Sequence, residues 1–251
     1  AKGVGKSTCM RFMLNRLLSK NKAVCVLDID VGQPEYGMPG TVSLTLVSSP
    51  NLSSPHLHMQ QPLESYYFGE VTAKGDSERL NTSVSLLLQK YERVRDQLAS
   101  GNLQALDIVK GVTLPAHRPA HASNIFDSLD TSSNDGIKLP LVVNTDGFIR
   151  YMGSEILQAA VQAVAPHMVL QVVSDKDRYI PALSCIDSEI IHPLESGSSS
   201  PSSVAALDLR NLRMVSYFLR DSVLLKDLLR LESDSDDQLR IHIRNGTIVD
   251  K

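Results

Sequence analysis

The opening eight residues constrain the fold of this chain more than any other part of it. They read Ala-Lys-Gly-Val-Gly-Lys-Ser-Thr, and the apolar spacing of the residues that follow predicts an amphipathic helix over Thr8–Leu18. Glycines let successive backbone N–H groups turn toward a bound anion, and the start of a helix adds favourable partial charge. The segment therefore matches the end of the phosphate-binding loop GxxxxGKS/T. The first glycine of that loop would precede Ala1, so we expect the chain to be a fragment.

A predicted strand that ends in carboxylates follows this helix. Ala23–Leu27 is an apolar run without alternation, as expected of a strand buried on both faces, and Asp28 and Asp30 come directly after it. Side chains two apart on a strand point to the same face. Two carboxylates at that position can bind Mg²⁺ or its water ligands, and one of them can remove a proton from a nucleophile. We interpret Asp30, which lies further out, as the base and Asp28 as the partner of a metal or its water. The alternative is one functional acid and one solvated strand end.

Strands and helices alternate along the rest of the chain. The spacing of apolar residues predicts further helices over 80–98 and 155–164, and strands over 139–143 and 168–173. This alternation implies an α/β fold with a mainly parallel sheet flanked by helices, as in P-loop NTPases. Ligands of such sheets bind outside the carboxyl ends of the strands. We expect the polar residues that follow the strands to meet there, namely Asp28, Asp30, Asn144, Asp146, Ser174 and Asp175.

The domain organisation follows from composition along the chain. We expect residues 1–230 to form one P-loop domain that lacks its first strand, and residues 231–251 to begin a small C-terminal β domain. Residues 238–249 alternate and carry Asn245-Gly246, which is typical of a hairpin. Residues 48–62 and 113–138 are polar and are predicted to be loops, and helices are predicted between Leu209 and Leu229.

Composition excludes several classes of function. The 251 residues carry a net charge of −3, so any contact with nucleic acid must come from a local basic surface. No apolar run approaches the ~18–20 residues of a membrane span. The three cysteines are too few and too scattered for a disulfide scaffold or a zinc cluster. Nucleophilic hydrolase chemistry has no support, because the chain lacks a Gly-x-Ser-x-Gly elbow.

A basic helix face lies far downstream. Arg210, Arg213, Tyr217 and Arg220 step by 3, 4 and 3 residues and so share one face of a predicted helix. Arginines on such a face can close over a triphosphate and stabilise the charge of a transferring group. The alternative is a solvated basic face.

Several stretches together resemble the polynucleotide 5′-hydroxyl kinases of RNA processing. They occur in order over residues 1–220: Gly3–Thr8, Leu27–Pro34, Pro39–Leu44, Tyr67–Gly69, Asn144–Phe148 and Asp208–Arg210, leading to Ser216–Phe218. Lys2, the run Gly69–Asp76 and Asp208–Arg210 are more similar to the nucleolar pre-rRNA branch than to the branch that serves pre-mRNA 3′ ends and tRNA.

The resemblance implies a role for each candidate residue. ATP would be bound by Gly3, Val4, Gly5, Lys6, Ser7 and Thr8, and Mg²⁺ by Ser7 and Asp28. Asp30 would activate the 5′-hydroxyl, with Lys6, Arg210 and Arg213 offsetting charge on the phosphates. The acceptor side would use Gln33, Thr72 and Phe148, where Phe148 stands in the place of the family's usual Trp. Stacking needs only a π-face, so Phe148 could still hold a terminal base, with core packing as its alternative.

The same resemblance implies partners and location. The acceptor would be RNA with a 5′-hydroxyl end, or alternatively DNA, and a protein partner within an RNA-processing complex is expected, with no membrane contact. The location would be the nucleus, in the nucleolus. Two other functions stay open: a nucleotide-binding scaffold with little turnover, and a P-loop ATPase or GTPase. The absence of an Asn-Lys-x-Asp run weakens the GTPase.

Overall fold

The computed structural model describes residues 4–52, 59–100, 138–147, 152–173, 191–195, 204–219, 243–244 and 247–248. Helix α1 spans Lys6–Leu18, as predicted, and Gly5 precedes it with φ 95°. L-residues with a Cβ rarely adopt this left-handed conformation, so the sequence needs glycine at that position. Met10 and Leu14 are buried on the inner face of α1. The remaining predicted positions of that apolar face, Met13, Leu17 and Leu18, are half-buried.

Four strands form the main sheet, in the order β3-β2-β1-β4. Their ranges are Val24–Asp28 for β1, Thr41–Val47 for β2, Glu64–Tyr67 for β3 and Leu141–Asn144 for β4. β1 pairs parallel with β4 and antiparallel with β2, which pairs antiparallel with β3. The predicted α/β class is confirmed, whereas the antiparallel strands β2 and β3 were not predicted. A connection without a crossover helix returns the chain beside β1 in the opposite direction.

Both faces of β1 are covered, which explains its unbroken apolar sequence. On one face, Cys25 and Leu27 join a cluster with Leu44, Leu46 and residues of the next helix. On the other face, Val24 and Val26 pack with Val47, Tyr36 and Leu14 of α1. A strand with two covered faces has no solvent side for polar residues, as predicted for this segment.

Helix α2 spans Ser77–Ala99 and supplies five buried residues of the first cluster. The Asp76 side chain caps it by accepting a hydrogen bond from the Arg79 N–H at 2.9 Å. Its buried face carries Leu80, Val84, Leu87, Val94 and Leu98, at the predicted helical spacing. A short 3-10 turn, Ala73–Gly75, leads into it.

The later elements also agree with the predicted alternation. Helix α3 spans Met152–Val164, β5 spans Val169–Val173 and helix α4 spans Ala206–Leu219. β5 pairs parallel with an unpredicted strand, β6 (Ile191–Glu195). Strands β7 (Ile243–Arg244) and β8 (Thr247–Ile248) pair antiparallel, as the hairpin pattern predicts.

Two loop predictions are settled only in part. The described residues of the segment 48–62 contain no helix or strand, but Asn51 and Met59 are buried, so this loop does not lie wholly on the surface. Most of the predicted loop 113–138, the predicted edge residues Ser174 and Asp175, Arg220 and residues 221–229 lie outside the described residues. No helix in the described part of the chain is long and apolar enough to cross a membrane.

Candidate active site

The first turn of α1 is open to solvent. Gly5, Ser7 and Thr8 are exposed and Lys6 is half-buried. The first helical hydrogen bond runs from the Cys9 N–H to the Gly5 carbonyl at 2.9 Å, and no side chain caps the N–H groups before it. These N–H groups have no partner within a helix, so they can donate to the oxygens of a bound anion. Val4 is half-buried beside this turn, and Gly3 lies outside the described residues.

Asp28 closes β1 in a buried polar setting. Asp28 lies opposite Asn144 of β4 in the pairing register, and the Asn144 amide donates to Asp28 Oδ1 at 2.9 Å. The Glu35 N–H donates to the other oxygen, Oδ2. Asp28 is 1% exposed. Burial raises its pKa to about 7, and although the Glu35 and Asn144 hydrogen bonds oppose that rise, the charge of Asp30 adds to it.

Asp30 lies beyond the strand, in the turn that follows it. Because β1 ends at Asp28, the expectation that both acids share one face of a strand is wrong. Asp30 Oδ1 accepts hydrogen bonds from the N–H groups of Gly32 at 3.1 Å and Gln33 at 2.8 Å, which is the geometry of an Asx turn. No donor among the described residues contacts Oδ2 of Asp30. One carboxylate oxygen thus fixes the turn, and the other can meet a ligand.

An ion pair that the sequence analysis missed joins α1 to this turn. Arg11 Nε lies 2.5 Å from Glu35 Oε1, and Arg11 Nη2 lies 3.2 Å from Glu35 Oε2. Glu35 is 1% exposed. The same residue donates its N–H to Asp28, so the side chain of Glu35 holds the helix while its backbone holds the acid. A two-contact pair of this kind fixes geometry as well as charge.

Asn51 completes the contact between α1 and the loops. Its N–H donates to Asn15 Oδ1 at 2.8 Å, and Asn15 Nδ2 donates to the Asn51 carbonyl at 3.1 Å. Asn51 Nδ2 also donates to Glu35 Oε1 at 3.3 Å and to the Tyr36 hydroxyl at 3.2 Å. Arg11 and Asn15 are four residues apart in α1, a spacing that could have revealed a second, polar inner face.

Arg213 is the predicted arginine that the structure brings to the acids. Its side chain is buried, with the residue 5% exposed. Burial lowers the pKa of the guanidinium, and the nearby charges of Glu35, Asp28 and Asp30 oppose that shift. Its Nη1 has no hydrogen-bond partner within the described part of the chain. A buried donor without a partner is costly, so Nη1 is suited to an acceptor that a ligand brings.

The other predicted residues of the basic helix face are more exposed. Arg210 is half-buried and Tyr217 is 41% exposed, so of the described members of that face only Arg213 is buried. The sequence spacing could not separate these environments, because it fixes which residues share a face and not what the face packs against.

Thr72 lies close to the turn that Asp30 caps. A Cβ added to Gly32 would lie 2.8 Å from the Val71 carbonyl oxygen, so the two segments are in contact there and only glycine fits. Thr72 is exposed, beside the start of the 3-10 turn, and Gln33 is half-buried in the turn of Asp30. The structure therefore brings Gln33 and Thr72 to one neighbourhood, while Phe148 lies outside the described residues.

The carboxyl ends of β1 and β4 border a small cleft. It is lined by Ile29, Ala73, Leu80, Thr145, Asp146, Gly153, Ile156 and Leu157. Asn144 and Asp146 thus lie at the sheet edge predicted for them, where Asn144 contacts Asp28 and Asp146 lines the cleft.

The acids do not by themselves form a metal cage. Among the described residues no group of three His, Cys, Asp or Glu side chains has the geometry to hold a metal ion. Mg²⁺ usually keeps several waters and binds through one or two carboxylates plus substrate phosphates. An exposed hydroxyl such as that of Ser7 and one carboxylate are ligands of the kind that such a shared site uses.

Comparisons with known proteins point to one family. Residues 1–103 match the family described as mRNA cleavage and polyadenylation factor CLP1 P-loop. The polynucleotide 5′-hydroxyl-kinase GRC3 of Gibberella zeae is 28% identical over 252 residues, covering 93% of this chain and 29% of that protein. The polynucleotide 5′-hydroxyl-kinase NOL9 of Arabidopsis thaliana is 28% identical over 232 residues, covering 86% of this chain and 54% of that protein. The chain therefore spans about half or less of the length of these relatives.

Solved structures share the fold. A structure of the wild-type Clp1p–Pcf11p complex aligns with 86% of this chain and 46% of its own, with a TM-score of 0.56 and 16% identity. A second structure, described by the extended interface between Pcf11p and Clp1p, gives a TM-score of 0.55 and 15% identity. The α/β architecture built on α1 and β1 is thus common to all three.

Proposed function

We propose that this chain transfers the γ-phosphoryl group of ATP to the 5′-hydroxyl of RNA during pre-rRNA processing. The match of residues 1–103 to the CLP1 P-loop family and the similarity to relatives named polynucleotide 5′-hydroxyl-kinase support this proposal. The observation that carries this proposal is the link between α1, the proposed phosphate-binding helix, and the acid turn, which comprises residues 28–35. Arg11 of α1 and Asp28 at the end of β1 both contact Glu35, so the two halves of a phosphoryl-transfer site are held together.

The nucleotide would be held by the first turn of α1. The N–H groups after Gly5 would surround the phosphate oxygens, and Lys6 would contact the β- and γ-phosphates, with Gly3, Val4 and Thr8 completing the loop. Ser7 would hold Mg²⁺, and Asp28 would hold the ion or one of its waters. Bound Mg²⁺ would supply positive charge that offsets the phosphate oxygens.

Asp30 would act as the general base. It accepts the proton of the 5′-hydroxyl as the oxygen attacks the γ-phosphorus, and the bond from that phosphorus to the bridging oxygen of ADP breaks. Oδ1 of Asp30 is fixed, and Oδ2 has no contact from the residues that the structure describes. Both support this role, because a base must be held still and yet be reachable. The residues that would place the acceptor are Gln33, Thr72 and Phe148.

Arg213 would stabilise the charge that develops on the transferring group, together with Arg210. Its buried Nη1, for which the described part of the chain offers no hydrogen-bond partner, and its nearness to the acids support this role. Such a cation is worth most where water is excluded, since the dielectric screening is weak there.

The decisive experiment is a kinase assay on the full-length protein. It would use γ-labelled ATP with 5′-hydroxyl RNA and DNA oligonucleotides side by side, and matched oligonucleotides with a 5′-phosphate as controls. We expect label on 5′-hydroxyl RNA and none on 5′-phosphate ends. ATP binding without transfer to any acceptor would contradict the proposal and favour a nucleotide-binding scaffold.

We further propose a nucleolar location and a protein partner in an RNA-processing complex. The NOL9 and GRC3 relatives support the pre-rRNA branch, and the solved complex of Clp1p with Pcf11p supports a protein partner. Co-purification from nuclear extract, with pre-rRNA processing measured after depletion, tests both statements.

A further inference from the structure

An exposed aromatic ring lies at the end of the edge strand β3. Tyr67 is 67% exposed, whereas the next residue, Phe68, is buried. The ring spans two glycines: a Cβ added to Gly69 would lie 3.5 Å from Tyr67 Cε1, and one added to Gly40 would lie 3.8 Å from Tyr67 Cε2. Because glycine has no side chain, the phenol ring lies directly over the backbone of Gly40 and Gly69.

The backbone beneath this ring is held in place. The N–H groups of Phe68 and Gly69 donate to the Gly40 carbonyl at 2.7 and 3.1 Å. Arg79 Nη2 donates to the Tyr67 carbonyl at 2.9 Å, and its guanidinium lies 5.7 Å from the centre of the Phe68 ring. The ring is thus exposed on a backbone that hydrogen bonds hold in place, which lowers the entropy lost when a ligand packs on it.

The backbone beneath this ring is connected to the turn that holds the proposed base, Asp30. The Gly40 N–H donates to the carbonyl of Val31, the residue after Asp30, at 2.8 Å. The Val71 carbonyl also packs on Gly32, and the Gly32 N–H donates a hydrogen bond to Asp30. The side chain of Val71 is 48% exposed. Segment 67–71 therefore contacts the acid turn directly at Gly32 and, through Gly40, at Val31. The side chains of Tyr67 and Val71 face solvent there.

We propose that Tyr67 is a stacking platform for a nucleobase of the single-stranded acceptor close to its 5′ end, with Arg79 supplying positive charge beside it. The inference rests on the proposed kinase function and adds a subsite to it. Any base can stack on an aromatic ring, so the platform accepts any sequence. A local cation is needed because the chain as a whole is acidic, with a net charge of −3.

The experiment compares Tyr67→Ala and Tyr67→Phe with the wild-type full-length protein. The acceptors are a 5′-hydroxyl oligonucleotide and versions of it in which the first or second nucleotide is abasic. Tyr67→Ala should raise KM for the intact acceptor roughly 10-fold, with KM for ATP unchanged, since stacking is lost. Tyr67→Phe should stay within about twofold of wild type, because its ring still stacks. Phe12→Ala, an equally exposed aromatic on α1, is the matched control and should behave as wild type.

The abasic acceptor distinguishes stacking from a general structural effect. Wild type and Tyr67→Ala should have equal KM on the oligonucleotide that lacks the stacked base. An unchanged KM of Tyr67→Ala on the intact acceptor overturns the proposal, and so does a loss that persists on every abasic acceptor. If the wild-type protein phosphorylates no 5′-hydroxyl end, the kinase proposal fails. The platform is then judged by oligonucleotide binding in fluorescence anisotropy, where weaker binding by Tyr67→Ala supports it and equal binding overturns it.

Discussion

Arg11 and Glu35 join helix α1 to the acid turn through two side-chain contacts, of 2.5 and 3.2 Å, across 24 residues of sequence. Glu35 is almost fully buried and Arg11 is 26% exposed, so the pair lies at the border between core and solvent. A charge in such a place depends on its partner, because water cannot replace the lost contact.

Replacing Arg11 should therefore destabilise the protein. We expect Arg11→Met to lower the free energy of unfolding by about 3 kcal/mol, since it removes the Arg11 guanidinium from the buried Glu35 carboxylate. Urea unfolding without nucleotide measures the change. Arg16→Met is the control: Arg16 is exposed on the same helix, and we expect a change within about 0.5 kcal/mol. Equal losses for the two variants would contradict the role of the pair.

Asp30→Asn should separate catalysis from folding. Asparagine keeps an oxygen for the N–H groups of Gly32 and Gln33 but cannot take a proton from a neutral hydroxyl, so kcat should fall on the order of 10²–10⁴-fold. ATP affinity and Tm should stay near wild type, as measured by calorimetry. Asp76→Asn, which changes the cap of α2 in the same way, should keep full activity. An Asp30→Asn enzyme with normal kcat would exclude Asp30 as the base.

Stability should fall as pH rises through the range where Asp28 ionises. The folded pKa of Asp28, about 7, lies above its ordinary value of 3.8, so between these values the native state holds a proton that the unfolded chain has lost. In that window the free energy of unfolding decreases with pH, by up to about 1.4 kcal/mol per unit. We expect Asp28→Asn to remove this slope in urea titrations between pH 5 and 7 without Mg²⁺. An identical slope in both proteins would show that another group causes it.

Arg213→Lys should cost activity although the positive charge is kept. Lysine lacks the planar fork of arginine and places its charge differently, so a buried guanidinium is poorly replaced by it. We expect kcat to fall about 10²-fold or more. Complete loss of such an arginine usually costs about 10³–10⁵-fold, and lysine keeps part of the effect because it keeps the charge. Arg95→Lys, at an exposed position on α2, is the matched control and should have no effect. Activity within twofold of wild type for Arg213→Lys would contradict its proposed role.

Gly32→Ala should disturb the acid turn directly. The new Cβ would lie 2.8 Å from the Val71 carbonyl, a backbone atom that cannot move aside without shifting its segment. We expect a loss of about 1–3 kcal/mol in stability and a larger proportional loss of activity, because Asp30 is fixed by the same turn. At Gly75 the nearest atom, 3.1 Å away, is the flexible end of Glu70, so Gly75→Ala should be tolerated. Kinase assays and thermal unfolding of both variants measure the difference.

Local patterns predicted most of the elements, and long-range contacts account for what was missed. α1, β1 and α2 were predicted because the apolar periodicity of each segment reports its own burial. β2 was missed because its sequence Thr-Val-Ser-Leu-Thr-Leu-Val places hydroxyl groups in the core, where Ser43 and Thr45 are buried. The Arg11–Glu35 ion pair could not be predicted from the sequence around either residue, since the two are 24 positions apart and meet only in the folded chain.

The contact between Asn144 and Asp28 spans 116 positions of sequence. During translation, the helix and the first strands are made well before Asn144 leaves the ribosome, and closing so long a loop is a slow step. Asp28 therefore gains its hydrogen bond from the Asn144 amide only after the residues between them have been synthesised. In a nascent chain the proposed site would therefore stay incomplete until more than half of these 251 residues have emerged.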